Sequence, residues 1–387
     1  MNEHAPRHHR PNRPRAGRRG VAAAVTAAAA AAVAATLVPA PASAAPRPDA
    51  VQQRLDALVK EDGVPAALAT VKGRDGRSRT YTAGVGDLAT GSRVPVDGQV
   101  RIASNTKTFT AVVVLQLVAE GKVGLDTSVD AYLPGLVRGE GIDGRNITVR
   151  QLLQQTSGLP DYVDHERVLS APERYYEPRE LLDAALAKRA RSAPGAQWAY
   201  SNTNYLLAGL IIQKVTGRPL GEEITKRVID RIGLRHTYFP VPGDTTIHEA
   251  HPRSYQRAAD GSTRDFTSLD PSWGWAAGAM VSTNTDLTRF FGALLGGRLL
   301  PAAQLAQMRT TVPAETLGPG ARYGLGLVSR PLSCGGVAWG HGGAIPGTYT
   351  AGGATDDGRA VNFAVTTLPS DDTGAHVGQA VDDALCH

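Results

Sequence analysis

Ser104 and Lys107 stand three residues apart at the head of the stretch ASNTKTFTAVVVLQLVAEGKV, residues 103–123, which is otherwise almost wholly apolar. On a helix advancing about 100° per residue, Ser104, Ala111, Val114, Leu115 and Val118 fall within a quarter-turn of Lys107, whereas Gln116 and Glu120 fall on the far side. Lys107 therefore heads the apolar face. Burial disfavours an ammonium, and the positive end of a helix dipole acts in the same direction, so the pKa of this lysine is pushed down. A serine one turn away from an amine that can be neutral is an activated nucleophile. The same residues also fit a plain helix start, with Ser104 or Asn105 as cap and Lys107 snorkelling to water.

Two further stretches carry polar side chains in suggestive pairs. In WAYSNTNYLLAGLIIQKVTG, Tyr200 and Asn202 are two apart just before an apolar helix, and in extended backbone such positions point the same way. A tyrosine relays protons, and an asparagine amide holds a lysine or a substrate amide; the alternative is a helix-start turn with Tyr200 as a packing anchor. In AWGHGGAIPGTY, His341 and Gly343 end a strand-like run with both side chains on one face. Glycine there lets another backbone approach, as a substrate adding to a sheet edge would, while a lone histidine is more often structural. No G-x-S-x-G elbow is present, which argues against an α/β-hydrolase.

The elements that must position these residues follow from periodicity. A helix is expected over 49–60, then strands over 66–71 and 78–85 joined by the turn GRDG. Residues 105 to about 265 read as mainly helical, with helices at 108–120, 148–155, 179–188, 204–216 and 219–231. A helix over 286–295, capped by Ser282, Thr283 or Asn284, precedes short strands at 323–328, 336–340, 348–354 and 359–367 and a last helix over 372–385. Strands at both ends and helices between them predict an α+β fold, a sheet lobe (about 46–103 and 266–387) with an inserted helical lobe (about 104–265) and a ligand cleft between them.

The first 44 residues have the three parts of an export signal: six arginines, an apolar run from Val21 to Val38, and the A-x-A site Ala42-Ser43-Ala44. The run ends at Pro39, so a retained membrane anchor is the weaker reading; Arg18-Arg19 leaves the export route open. Without this segment, which holds six of the 41 basic and one of the 36 acidic residues, 35 of each remain. The mature chain is then near neutral, and nothing demands a nucleic-acid or anionic-membrane partner. In an exported chain the two cysteines, Cys334 and Cys386, are expected to be bonded, tying the last helix to a strand region; two buried thiols are the alternative. His248 and His251 in HEAH are too close for the H-E-x-x-H metal arrangement, and no cofactor is implied.

Together, S-x-x-K at Ser104 and Lys107, Y-x-N at Tyr200 and Asn202, and H-x-G at His341 and Gly343 resemble the active-site set of the serine β-lactamases and penicillin-binding DD-peptidases. The order and spacing, with LLQQTSGLPDY, WGWAAGAMVSTNTDLTRFF, RYGLGL and SCGG between and after the motifs, look most like secreted D-alanyl-D-alanine carboxypeptidases related to class C β-lactamases. The resemblance implies that fold, an antiparallel sheet flanked by the N- and C-terminal helices, and an acyl-enzyme on Ser104. Lys107 and Tyr200 would move protons, and the backbone N–H groups of Ser104 and Ala344 would form the oxyanion hole. Asn202 would orient the lysine and the substrate amide, and Tyr162 and Trp275 would line the cleft, Trp273 being the less expected wall. The substrate would be a small molecule or peptide, such as a peptidoglycan stem peptide, with β-lactams as acylating ligands. Two departures bear on this. Gly342 and Ala344 lack the hydroxyls expected in the third motif, and Val328 stands where carboxypeptidases carry a carboxylate-binding arginine. Arg330 is displaced by two strand positions, roughly 7 Å, so its reach to the site is in doubt. Esterase, D-amino-acid amidase, β-lactamase and non-catalytic β-lactam or peptide binding are the alternatives on the same fold.

Overall fold

The computed structural model describes residues 49–258 and 261–387; the export signal read in residues 1–44 lies outside them. Helix α1, Ala50–Lys60, is capped by the Asp49 carboxylate, which accepts from the Val51 N–H, and it buries Leu55 and Leu58. Ten strands form one antiparallel sheet. They are β1 Ala66–Lys72, β2 Ser78–Asp87, β3 Ser92–Arg93, β4 Val312–Pro313, β5 Arg322–Tyr323, β6 Val328–Pro331, β7 Val337–Gly340, β8 Gly343–Ile345, β9 Thr348–Ala354 and β10 Ala360–Val365. Their spatial order is β4–β5–β6–β7–β9–β10–β1–β2–β3, with β8 paired to β9 through Ala344 and Tyr349. The last strand in sequence, β10, thus lies at the centre beside the first, β1, in the register Ala69 to Phe363.

Every residue of β10 is buried, because helices cover both faces of the sheet. On one face α1 and the C-terminal helix α5, Asp371–Cys386, close over Ala67, Ala69, Val361, Phe363 and Val365 with Val377 and Leu385. The second face carries the larger core, built with helices α2 Thr106–Ala119, α3 Asn202–Thr216 and α4 Asn284–Leu295. Of the three caps weighed for α4, Thr283 is the one used: its hydroxyl accepts from the Asp286 N–H. Residues 220–232 continue as one helical run with a wider π turn at Thr225–Ile229.

One expectation is altered. The run read as one strand over 323–328 is a hairpin, β5 and β6, turned at Gly326 with φ +76°. Helix α2 is buried all round from Thr106 to Leu117, and on the side away from Lys107 Gln116 donates to the carbonyls of Leu299 and Arg227. Cys334, in the β6–β7 turn, and Cys386, at the end of α5, form a disulfide, as the sequence implied. Among the described residues no helix is long and apolar enough to cross a membrane.

Candidate active site

Ser104 is delivered by a tightly held turn. Strand-like residues Val100–Arg101 pair with Val281–Ser282, and the Ile102 N–H donates 3.0 Å to the Met280 carbonyl. Ala103 then takes φ +46°, a left-handed conformation that costs a non-glycine residue energy and that clusters at functional sites. Asn105 anchors the turn from below, donating to the Ile102 carbonyl at 3.0 Å and to Thr350 Oγ1 at 2.8 Å. Gly343 is required here: a Cβ on it would sit 2.3 Å from the Ile102 oxygen and 2.9 Å from the Ala103 Cβ. The backbone that approaches this glycine is the chain's own, and the approach sets Ser104 against β8.

Lys107 is wholly buried at the head of α2, on the apolar face where the helical wheel put it, and it does not snorkel to water. Its Nζ lies 2.9 Å from Ser104 Oγ, 2.7 Å from Asn202 Oδ1 and 2.8 Å from the Ala277 carbonyl. Two of these three are obligate acceptors. The Asn202 amide cannot be reversed without loss, because its Nδ2 donates 2.9 Å to Asp161 Oδ2. A neutral amine therefore spends both N–H groups on Asn202 and Ala277 and turns its lone pair to the Ser104 hydroxyl. Burial favours the neutral form, pushing the pKa from 10.5 down to about 7, with Asp161 opposing.

Tyr200 and Asn202 do point the same way, because the intervening Ser201 is extended at φ −150°, ψ 125°. Lys107 Nζ lies 4.9 Å from the Tyr200 ring centroid, and the Tyr200 hydroxyl interacts with Ser104. Burial holds the Tyr200 phenol well above its ordinary pKa, so it keeps its proton. His341 is buried, with Nδ1 2.6 Å from the Gly342 carbonyl oxygen and Nε2 3.1 Å from the Tyr323 hydroxyl.

Ser104, Tyr200, Asn202 and His341 line one cavity of about 360 Å³, with Lys107 buried behind Ser104; its walls include Tyr162, Trp273, Val328, Tyr349 and β8, where Ala344 is exposed. Tyr162 donates 2.7 Å to the Trp273 carbonyl. Trp275, expected as a wall, is not there. Residues Pro271–Trp273 and Trp275–Gly278 are two short helical turns with Trp275 at φ +33°, so positions two apart do not share a face; its ring packs on Gly209 of α3 and borders a separate apolar cavity. Trp273 takes the cleft position instead. Arg330, whose reach was in doubt, does border the cavity, with its guanidinium donating to the Leu317 carbonyl at 3.3 Å. Sequence reasoning missed Asp161, the Ala277 carbonyl and Tyr323; Asp161 lay in the quoted block LLQQTSGLPDY, but nothing in its spacing marked it. His248 and His251 lie in a polar loop, His248 stacked on Tyr238. Among the described residues no cluster of three or more His, Cys, Asp or Glu is arranged to hold a metal ion.

Residues 51–385 match the protein family described as Beta-lactamase. A crystal structure of a D-stereospecific amidohydrolase from Streptomyces sp. superposes with TM-score 0.78 at 40% identity, over 86% of this chain and 97% of that one. The D-amino acid amidase of Ochrobactrum anthropi SV3, complexed with L-phenylalanine amide, gives TM-score 0.75 at 28% identity over 86% and 98%. Penicillin-binding protein 4 of Amycolatopsis lactamdurans is 29% identical over 272 residues, 67% of this chain and 69% of that protein. The chain spans about half the length, 47%, of Protein flp from Staphylococcus aureus, to which it is 28% identical over 243 residues.

Proposed function

Because this chain belongs to the Beta-lactamase family, we propose that it is an exported serine hydrolase that forms an acyl-enzyme on Ser104, with D-aminoacyl amides as its preferred acyl donors. One observation carries the chemistry: Lys107 Nζ is held by two acceptors and faces the Ser104 hydroxyl. Ser104 Oγ attacks the carbonyl and its proton passes to Nζ, the group whose pKa of about 7 suits a general base. The oxyanion forms between the Ser104 and Ala344 N–H groups, each worth about 3 kcal/mol. Tyr200, kept protonated by burial, hands its proton to the leaving nitrogen and is recharged from Lys107. The C–N bond breaks and the amine departs. Water then takes the place of the amine, and the same groups run the steps in reverse to release the acid.

Substrate class rests on the wall. Asp161 puts a carboxylate on the cavity beside Asn202, which suits a free α-ammonium and opposes a free carboxylate. Gly342 and Ala344 offer no hydroxyls. The two amidohydrolase structures in the comparison point the same way. The D-alanyl-D-alanine carboxypeptidase reading keeps one supporting observation, Arg330 at the cavity edge. Export is supported by the disulfide, since such bonds persist in oxidising compartments. The test is a panel of D- and L-phenylalanine amide, N-acetylated D-phenylalanine amide and a D-Ala-D-Ala peptide. Turnover of the free D-amide above the rest is expected; preference for the D-Ala-D-Ala peptide would overturn the amidase reading.

A further inference from the structure

Tyr323 belongs to none of the three motifs, yet it touches the active-site cluster from behind. It is fully buried in β5, its ring 5.8 Å from His341 and 6.4 Å from Tyr200, edge-on to both. The partners of His341 fix its proton. A carbonyl oxygen only accepts, so Nδ1, 2.6 Å from the Gly342 carbonyl, carries the hydrogen. Nε2 is left with a lone pair facing the Tyr323 hydroxyl 3.1 Å away; that hydroxyl also bonds Tyr205, whose own proton goes to the Leu153 carbonyl. In the opposite tautomer a ring lone pair would face the carbonyl lone pairs at that short distance.

The consequence lies in the oxyanion hole. The Gly342 carbonyl begins the peptide leading into β8, and Ala344 follows two residues on. We propose that Tyr323 is a positioning residue for acyl transfer: by donating to His341 Nε2 it fixes the Nδ1–H tautomer, whose bond to Gly342 holds the start of β8 and with it the Ala344 N–H. This rests on the reading of Ser104 and Ala344 as oxyanion donors. The surroundings keep the imidazole neutral. Burial is the main cause that lowers its pKa to about 3; a charge on Lys107, whenever that amine is protonated, acts the same way, while the Gly342 bond opposes and outweighs the weaker effect of Arg330 on β6. Tyr200 faces it before α3, and Asp161 lies on the same cavity.

The experiment combines imidazole ¹⁵N spectra of the full chain with kinetics of Tyr323→Phe. The wild-type spectrum should show His341 as the neutral Nδ1–H tautomer at pH 7; the Nε2–H tautomer or an imidazolium overturns the proposal whether or not the variant folds. For Tyr323→Phe, kcat should fall about tenfold or more on both p-nitrophenyl acetate and D-phenylalanine amide, with KM within about twofold, because an oxyanion donor acts in the transition state. The imidazole should then show mixed tautomers or titrate higher. A kcat within about twofold of wild type, with the tautomer unchanged, means that Tyr323 only packs, and the proposal fails. If the amide is not turned over at all, the substrate reading falls instead, and ester acylation with the imidazole spectrum still decides the role of Tyr323.

Discussion

Replacing Lys107 by methionine keeps a long apolar stem in the same crevice and removes the amine, so it separates the chemistry of the lysine from its packing. A fall in pKa from 10.5 to about 7 corresponds to roughly 5 kcal/mol between the charged and neutral amine. The sign follows from linkage. Between pH 7 and 10.5 the unfolded chain binds a proton that the folded chain has released, so stability rises with pH in that window; below pH 7 the full penalty applies. From pH 6 to 9 the wild type should gain roughly 3 kcal/mol relative to Lys107→Met, read from denaturant unfolding of both proteins. In the same window kcat/KM for an activated ester should climb along a limb near pH 7 in the wild type, and acylation should fall by about a thousandfold or more in the variant. A limb above pH 9, or parallel stability curves, would refute a neutral buried amine.

Opening the Cys334–Cys386 bridge with serine at both positions should lower stability by up to about 4 kcal/mol for a 52-residue separation, measured by thermal unfolding, with kcat retained because neither cysteine borders the cavity that holds Ser104. Gly343→Ala forces a Cβ to 2.3 Å from the Ile102 oxygen; acylation should drop at least about a hundredfold, as for loss of an oxyanion donor, and an active variant would show that the turn yields cheaply. Trp273→Ala should raise KM several-fold, whereas Trp275→Ala should leave KM unchanged and lower the melting temperature, since only Trp273 borders the catalytic cavity.

Much of the site was legible because it is written in local spacing. Three residues on a helix put Ser104 beside Lys107, and one extended residue between Tyr200 and Asn202 aims both into the cleft. The helices and strands followed from periodicity for the same reason. What escaped depends on contacts between distant segments or on unusual backbone. Tyr323 meets His341 only because the β5–β6 hairpin and the start of β8 converge. Asp161 matters through a single bond to Asn202. The exchange of Trp273 for Trp275 arises from a positive φ that no rule would assign to tryptophan. The partners of Gln116, the carbonyls of Leu299 and Arg227, lie far along the chain, so the helical wheel gave no sign of them.

The central claim is that Ser104 is the residue that becomes acylated, and peptide mapping after reaction with a fluorescent penicillin tests it most directly. Trypsin cuts after Arg101 and Lys107, so the label should travel with the hexapeptide IASNTK, residues 102–107, and should vanish in Ser104→Ala. Label recovered on any other peptide, or persisting in that variant, would contradict the account.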